Sequence, residues 1–216
     1  MFADREDAAR QLAQKLKPLK FRDPLVLAIP RGGVATGAVL ARELDAELDV
    51  VLSRKLRAPF QPELAIGGVG EDGEVYLNHH VEAATGVGKE YIEEERKHQL
   101  QEIARRQKIF RAARLQAPTV GRSVILTDDG IATGSTMIAA LHVVKTHKPY
   151  EVIVAVPVAP PDRLEIIRSL CDRLICLLAP AEFYAVGQFY RSFAPVEDEE
   201  VVRILREFAP ATQPAE

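Results

Sequence analysis

Hydrophobic positions alternate between helical and strand spacing along the first quarter of the chain. Apolar residues recur at helical spacing within residues 4–17, which predicts an amphipathic helix. A buried strand over 25–29, a helix over 34–45 and a second strand over 48–53 follow. A strand–helix–strand unit of this kind is typical of a parallel sheet with a right-handed crossover.

The same alternation resumes at residue 122 and continues almost to the end of the chain. It predicts, in order, a strand over 122–127, a helix over 134–147, a strand over 151–158, a helix over 161–171, a strand over 173–178 and a closing helix over 197–208. The predicted fold class is therefore α/β, with an open, mostly parallel twisted sheet and flanking helices.

The middle of the chain has a different pattern. Residues 64–77 place two short apolar runs around the turn sequence GEDG, which predicts an antiparallel β-hairpin. Residues 89–116 are mostly polar with a narrow apolar stripe, and they predict a helix roughly 40 Å long. Such a helix could cover a site, pack on a partner subunit, or extend into solvent as an arm without chemistry.

These elements together predict one domain and a short tail. The domain is expected over 1–208, with its core at about 22–178 and the hairpin and helical insertion over 60–117. Residues 209–216 have the composition of a flexible end.

Charge and hydropathy narrow the classes of partner. A net charge of -3 and a pI near 6.0 argue against a protein that mainly coats nucleic acid, although residues 104–114 form a modest basic patch. No apolar stretch approaches the ~20 residues that span a bilayer, and charges appear at once at the N-terminus. We therefore expect no membrane partner, no nucleic-acid partner and a cytoplasmic location.

The residues that most often bind metals are sparse. Cys171 and Cys176 are the only cysteines, and we interpret them as two buried thiols, with one disulfide as the alternative. The histidines have no metalloprotease spacing and no matching cysteine set, so we interpret them as surface or packing residues. They are His79, His80, His98, His142 and His147.

Two adjacent acids follow an apolar run in the segment VILTDDGIATGSTM, residues 124–137. Asp128 and Asp129 repel each other, and neither has a cation close by in the sequence. Because the preceding residues are predicted to be buried strand, the acids emerge at the sheet edge where open parallel sheets bind ligands. This arrangement indicates a ligand that completes the site, either a cation or a set of sugar hydroxyls.

The residues after the acid pair have the chemistry of an anion site. Consecutive amides at the start of a helix, together with the helix dipole, favour negative charge, and Gly134 permits close approach. Thr133, Ser135 and Thr136 add hydroxyl donors, whereas a simple helix cap, the alternative, needs one such residue. The segment contains neither a nucleotide P-loop nor a dinucleotide fingerprint. A single terminal phosphate with nearby hydroxyls, as in a ribose 5-phosphate, fits this pattern.

Basic residues follow the first two predicted strands. Arg31 with Gly32 and Gly33 offers a cation and unobstructed amides after the first strand, and Arg54 with Lys55 follows the second. Two basic loops facing one acidic loop indicate a second, more highly charged anion bridged by Mg²⁺. For Arg54 and Lys55, ordinary surface charge is the alternative.

The segment VILTDDGIATGST resembles the phosphoribosyl-diphosphate (PRPP) motif of type I phosphoribosyltransferases, and PRGGVATGAVLAREL is similar to the pyrophosphate loop and following helix of the xanthine/guanine members. The resemblance covers roughly residues 25–158. As a whole the chain also resembles a group of stand-alone bacterial phosphoribosyltransferase-like proteins, whose pattern includes residues 54–67 and 183–190.

The resemblance implies roles for individual residues. Asp128 and Asp129 would hold the ribose hydroxyls and contact Mg²⁺ through water and PRPP oxygens. The residues implied to bind the 5′-phosphate are Ile131, Ala132, Thr133, Gly134, Ser135 and Thr136, and those implied to bind pyrophosphate are Arg31, Gly32, Gly33, Arg54 and Lys55. The pyrophosphate loop of this family commonly carries a non-proline cis peptide, which by position would be Pro30–Arg31.

The chain departs from the commoner family pattern at two places. Ser135 occupies the second glycine position of the T-G-G-T loop, where a serine still donates hydrogen bonds. The chain has no tryptophan to close over a base, so four late aromatic residues are the candidates for stacking on an acceptor. They are Phe183, Tyr184, Phe189 and Tyr190, and core packing is the alternative for each.

The leading hypothesis is a Mg²⁺-dependent phosphoribosyltransferase that acts on a small nitrogenous acceptor, plausibly a nucleobase. The alternatives are a PRPP- or nucleotide-sensing regulator with little catalysis, and a phosphoribosyl hydrolase that uses water. The expected partners are PRPP, an unidentified acceptor and a second copy of the chain in a homo-oligomer.

Overall fold

The computed structural model describes residues 1–59, 61–77 and 85–209, and of residues 62–64 it describes the backbone only. His79 and His80, which we interpret as surface or packing residues, lie outside those residues. Most of the predicted tail lies outside them as well. The described helices are α1 (Arg5–Leu16), α2 (Gly32–Glu43), α3 (Lys89–Ala113), α4 (Ser135–Thr146), α5 (Pro161–Arg168) and α6 (Asp198–Glu207). The strands are β1 (Leu25–Ala28), β2 (Glu47–Val50), β3 (Ser53–Ala58), β4 (Gln61–Gly70), β5 (Val75–Leu77), β6 (Ser123–Thr127), β7 (Glu151–Val158) and β8 (Arg173–Leu178).

Five strands form a parallel sheet in the order β2-β1-β6-β7-β8. Strands β1, β6 and β7 are buried along their whole length, which explains why their sequences are continuous apolar runs without alternation. The predicted α/β class with an open parallel sheet is confirmed.

Helices cover both faces of this sheet. Alternate β1 residues point to opposite faces, so Val26 packs with Leu12 of α1 and Leu40 of α2, whereas Leu27 packs with Leu141 of α4. Helix α6 joins the first layer, and α5 joins the second through Leu164 and Ile167.

A second, antiparallel sheet has the order β3-β4-β5. The predicted hairpin corresponds to β4 and β5, but β3 was not predicted. We expected one strand over 48–53 followed by a basic loop, whereas β2 ends at Val50 and Arg54 and Lys55 lie on β3. The reason is a short period-two pattern, in which Leu56 and Ala58 are buried between polar neighbours.

Helix α3 packs on its own chain and is not a solvated arm. Its apolar stripe is buried at Ile103 and Phe110, and its buried Gln99 hydrogen-bonds Arg54 of β3. Arg111, from the predicted basic patch, forms ion pairs with Asp49 at 2.7 Å and Glu71 at 2.5 Å. The charge of Arg111 is therefore paired inside the protein, and residues 104–114 do not form a continuous basic surface.

Among the described helices, none is both long and apolar enough to cross a lipid bilayer.

Candidate functional site

Three chain segments leave the parallel sheet side by side at the carboxyl ends of its strands. Ala28 of β1 lies opposite Thr127 of β6 and Val50 of β2, so the residues after these three positions are neighbours. The Ile29 amide continues the pairing and donates to the Thr127 carbonyl at 2.9 Å. The acid loop, the Pro30–Gly33 loop and the start of β3 therefore converge as the sequence predicted.

The two acids of the loop have different surroundings. Asp128 lines a cavity, and its carboxylate accepts a hydrogen bond from the Asp129 amide at 2.8 Å. The Asp129 carboxylate is almost buried and accepts a hydrogen bond from Arg5 Nε at 2.8 Å. Burial, and then the charge of Asp129, raise the pKa of Asp128 well above its ordinary value. Burial also raises the pKa of Asp129, although Arg5 acts in the opposite direction.

Arg5 is a residue of the site that the sequence did not reveal. Its guanidinium also donates to the Ala194 carbonyl at 2.7 Å and lies 3.8 Å from the centre of the Phe193 ring. Arg5 is 124 positions from Asp129, and no motif connects them. Its position follows from the pairing of the chain's first residues with the segment at Tyr190, where Phe2 forms a β-bridge.

The late aromatic segment packs against the backbone of the acid loop. Tyr190 is buried, and its hydroxyl donates to the Asp129 carbonyl at 2.5 Å. Its ring centre lies 5.3 Å from that of Phe2 and 4.9 Å from that of Phe193. Burial raises the pKa of the Tyr190 hydroxyl, which keeps it a donor. Tyr190 therefore packs inside the protein, and its role in acceptor binding stays a prediction.

The other three aromatic candidates differ in exposure. The rings of Phe183 and Phe189 contact each other with centres 5.0 Å apart, and both are partly buried. Tyr184 is 88% exposed, so its ring is available to a ligand. Their role in acceptor binding stays a prediction.

The loop after the acid pair, residues 130–134, ends at Gly134, the residue immediately before helix α4. Gly134 has a φ of 80°, a left-handed conformation that disfavours any residue with a Cβ. The first helical hydrogen bond runs from the Ile138 amide to the Gly134 carbonyl at 2.9 Å. The amides of Ser135, Thr136 and Met137 come before Ile138 in the chain and therefore have no acceptor within the helix. They form a helix N-terminus of the kind that attracts an anion.

Ile131 contributes to this loop from inside the protein. Its amide donates to the Val158 carbonyl at 2.8 Å, and only 3% of the residue is exposed. That amide is therefore already bonded, and Ile131 fixes the loop to β7. Ala132, Thr133 and Thr136 are the exposed positions of the predicted phosphate-binding set.

A cavity of about 200 Å³ opens between the acid loop and the helix start. Its lining contains Asp128, Gly130, Ile131, Ala132, Thr133, Gly134, Thr136, Met137 and Val186. Val186 was not predicted; it packs so closely on Gly130 that a Cβ there would lie 2.6 Å from its side chain.

The Pro30–Gly33 loop contacts the acid pair directly. The predicted cis peptide between Pro30 and Arg31 is confirmed. A Cβ on Gly32 would overlap the Asp129 carboxylate, and one on Gly33 would lie 2.9 Å from Asp128 Cα. These glycines therefore provide the space in which the two acids pack.

The Arg31 side chain turns toward the start of α6. It forms an ion pair with Glu197 at 2.6 Å and lies 3.9 Å from Asp198. Both Arg31 and Glu197 are more than a third exposed, so the pair is weak and Arg31 remains available to a ligand.

A second cavity of about 280 Å³ lies between β3 and α3, and Thr136 lines both cavities. The predicted Arg54 and Lys55 line it together with Pro30. Three further arginines in its lining, Arg57, Arg105 and Arg106, were not predicted.

The acid pair has the donor chemistry that suits Mg²⁺. Asp128 and Asp129 supply carboxylate oxygens, and Mg²⁺ commonly takes one or two carboxylates with waters and substrate phosphates completing its shell. Within residues 1–59, 61–77 and 85–209, no three His, Cys, Asp or Glu side chains cluster as a metal cage. Asp128, which lines the cavity, thus fits a cation that is shared with a bound phosphate ester, whereas the Asp129 carboxylate is paired with Arg5.

Four of the other residues of metal-binding types that the structure describes are the two cysteines, His142 and His147. Both cysteines are free and half-buried, and burial raises the pKa of Cys176 to about 11. His142 stacks on Tyr76 with ring centres 3.3 Å apart, and burial lowers its pKa to about 4. His147 contacts Asp72 at 2.5 Å.

A family model and two curated relatives match this chain. A model of the phosphoribosyl transferase domain matches residues 2–191. Two proteins of Mycobacterium tuberculosis, from strains CDC 1551 and H37Rv, are named provisionally as phosphoribosyl transferases, and each is 44% identical over 215 residues. That match covers 98% of this chain and 48% of the relative, so the chain spans about half the length of the curated relatives it matches.

A solved structure matches over almost its full length. The crystal structure of the protein TT1426 from Thermus thermophilus has a TM-score of 0.93 and 43% identity to this chain. The match covers 97% of this chain and 99% of TT1426.

Proposed function

The chain belongs to the phosphoribosyl transferase domain family, and we propose that it transfers the ribose 5-phosphate of PRPP to a nitrogen of a small acceptor. Pyrophosphate is the leaving group, and Mg²⁺ is the cofactor. The observation that carries the proposal is the cavity that Asp128 lines together with Thr133, Gly134 and Thr136 at the N-terminus of α4.

The phosphate end of the donor is assigned to the start of α4. The amides of Ser135, Thr136 and Met137 and the exposed hydroxyls of Thr133 and Thr136 would surround it. Helix amides and the helix dipole both favour a dianionic phosphate at such a position.

The ribose is assigned to the acid end of the same cavity. Asp128 lines the cavity, whereas the Asp129 carboxylate faces Arg5. We therefore give Asp128 the leading role in accepting the ribose hydroxyls and in stabilising positive charge that develops at the anomeric carbon. The role of Asp129 as a second hydroxyl ligand stays part of the proposal.

The leaving pyrophosphate is assigned to the Pro30–Gly33 loop. Arg31, the amides of Gly32 and Gly33, and the side chains of Arg54 and Lys55 would neutralise its charge. Mg²⁺, held through Asp128, Asp129 and donor oxygens, would supply further charge neutralisation.

The reaction breaks the bond between the anomeric carbon and the pyrophosphate oxygen. The electron pair of that bond leaves with pyrophosphate, and a lone pair of the acceptor nitrogen forms the new bond. The acceptor's N–H proton is released to solvent. Tyr184 and Phe183 are the candidates for contact with the acceptor ring. The class of acceptor that we propose is a nucleobase.

The test is an acceptor panel incubated with the full chain, PRPP and Mg²⁺. Pyrophosphate release is measured together with the ribosylated product by mass spectrometry. The proposal predicts acceptor-dependent release, which the Asp128→Asn variant should lose while remaining folded.

The same assay separates the two alternative functions. Pyrophosphate release without any acceptor would indicate a hydrolase, and saturable PRPP binding without release would indicate a sensor. Gel filtration coupled to light scattering tests the predicted homo-oligomer, and cell fractionation tests the predicted cytoplasmic location.

A further inference from the structure

The cavity between β3 and α3 carries an excess of positive charge. Its ionisable lining contains one acid, Glu102, and five bases. The bases are Arg54, Lys55, Arg57, Arg105 and Arg106. Some of this charge is compensated, because Arg105 forms an ion pair with Asp198 at 2.9 Å and Arg54 lies 3.8 Å from Glu102. The lining as a whole still attracts an anion into the space of about 280 Å³.

Hydrogen bonds fix part of this charge in place. The buried Gln99 of α3 accepts from Arg54 Nε at 3.1 Å and donates to Glu95 at 2.8 Å. Glu95 in turn accepts the backbone amide of Arg57 at 3.1 Å, which ties β3 to α3. Arg57 also lines the cavity.

Arg106 lines the cavity among mainly cationic neighbours. The acid that attracts it, Asp198, already forms an ion pair with Arg105 at 2.9 Å. Arg54, Arg105 and Arg31 repel it, and burial lowers its pKa. Arg106 is half-buried on the cavity side of α3, so an anion inside the cavity would be its favourable partner.

We propose that Arg57 and Arg106 extend the anion site that Arg54 and Lys55 begin in this cavity, and that they bind an oxyanion group of a substrate. The inference extends the proposed function by giving the long helix α3 a binding role. The shared chemistry is a phosphate or carboxylate, and two substrates could supply it. One is the pyrophosphate end of PRPP, because Pro30 and Thr136 border the cavity; the other is an acceptor with an acidic group.

The variants are Arg57→Gln and Arg106→Gln, with Lys108→Gln as the matched control. Lys108 is exposed on the same helix and does not line the cavity, since two residues turn a helix by about 200°. Glu102→Gln is the variant of opposite sign, because it removes the one acid of the lining. Each variant is checked for folding by circular dichroism.

Calorimetry with three probes identifies the first source. PRPP with Mg²⁺, inorganic pyrophosphate and ribose 5-phosphate are titrated into each variant. If the pyrophosphate end occupies the cavity, each arginine variant weakens PRPP and pyrophosphate binding by about tenfold and leaves ribose 5-phosphate unchanged. Glu102→Gln then strengthens both.

A matched pair of acceptor probes identifies the second source. Nicotinate and nicotinamide, which differ in the charge of one substituent, are titrated into PRPP-saturated protein. If an acidic acceptor occupies the cavity, nicotinate binds about tenfold more tightly than nicotinamide, and Arg106→Gln removes the preference.

The proposal is overturned if Arg57→Gln and Arg106→Gln match Lys108→Gln with every probe. The proposed function fails separately, if the wild-type chain does not bind PRPP. Loss of pyrophosphate binding in Arg106→Gln would support the anion site even in that case.

Discussion

The Nε atom of Arg5 donates to the Asp129 carboxylate at 2.8 Å, and both side chains are 12% exposed. This pair places a cation beside two adjacent acids that have none near them in the sequence. It also turns Asp129 away from the cavity that Asp128 lines. The first helix of the chain is thereby connected to the proposed donor site.

The Arg5 pair is expected to contribute substantially to stability. Arg5→Gln would leave the nearly buried Asp129 carboxylate uncompensated, and the free energy of unfolding should fall by about 3 kcal/mol. Urea denaturation measures this change. Arg10→Gln, which removes the exposed pair with Glu6, is the control and should cost less than about 0.5 kcal/mol. Adding Asp129→Asn to Arg5→Gln should restore part of the loss; equal stability of wild type and Arg5→Gln would contradict the assignment.

Donor binding should depend on pH through Asp128. Burial and Asp129 raise its pKa above 3.8, so the carboxylate becomes ionised only at a correspondingly higher pH. PRPP–Mg²⁺ affinity should therefore increase as the pH rises through that raised pKa. Calorimetry across the pH range measures it, and Asp128→Asn should bind weakly with the transition absent. A transition that persists in this variant would assign it to another group.

The same raised pKa has a defined consequence for stability. Between pH 3.8 and the raised value, the folded chain holds a proton on Asp128 that the unfolded chain has released. The free energy of unfolding should therefore fall as the pH rises through this window. In Asp128→Asn that decline should be smaller, which urea denaturation at several pH values measures; an unchanged decline would argue against Asp128 as its source.

Gly32 should be intolerant of a side chain because the acid pair occupies the space beside it. In Gly32→Ala the new Cβ would overlap the Asp129 carboxylate, which must shift. We expect a loss of about 1–3 kcal/mol in stability and weaker PRPP binding. Gly88→Ala is the control, because a Cβ there has no neighbour within 4 Å. If Gly32→Ala and Gly88→Ala bind PRPP with the same affinity, the contact between Gly32 and Asp129 has no role in donor binding.

Tyr190 and Tyr184 should respond to substitution in different ways. Tyr190→Phe removes the hydrogen bond to the Asp129 carbonyl and should lower stability by about 1 kcal/mol without changing acceptor preference. Tyr184→Ala removes an 88% exposed ring and should leave stability unchanged while raising the KM for the acceptor. If Tyr184→Ala instead leaves the KM unchanged, its ring does not contact the acceptor.

The sequence was sufficient for the fold class and the convergence of the loops. The central parallel strands β1, β6 and β7 are continuous apolar runs, so they stand out from the helices between them. Strand β3 was missed because Arg54 and Lys55 conceal its short alternation, in which only Leu56 and Ala58 are buried. A basic stretch is equally compatible with a loop when no partner strand is known.

Within the site, the sequence was sufficient for the loops but not for their partners. Asp128 and the glycines of the two loops lie within local sequence motifs. Arg5, Val186 and Arg106 lie outside these motifs and are brought to the site by tertiary packing. The Arg31–Glu197 pair joins residues 166 positions apart. No local pattern distinguishes such residues from ordinary surface charge.

The most direct test of the donor site is a crystal structure of the full chain with PRPP and Mg²⁺. We expect the 5′-phosphate on the amides of Ser135, Thr136 and Met137, with a ribose hydroxyl within hydrogen-bonding distance of Asp128. Donor density at any other place, with the Asp128–Thr136 loop making no contact to it, would contradict the account.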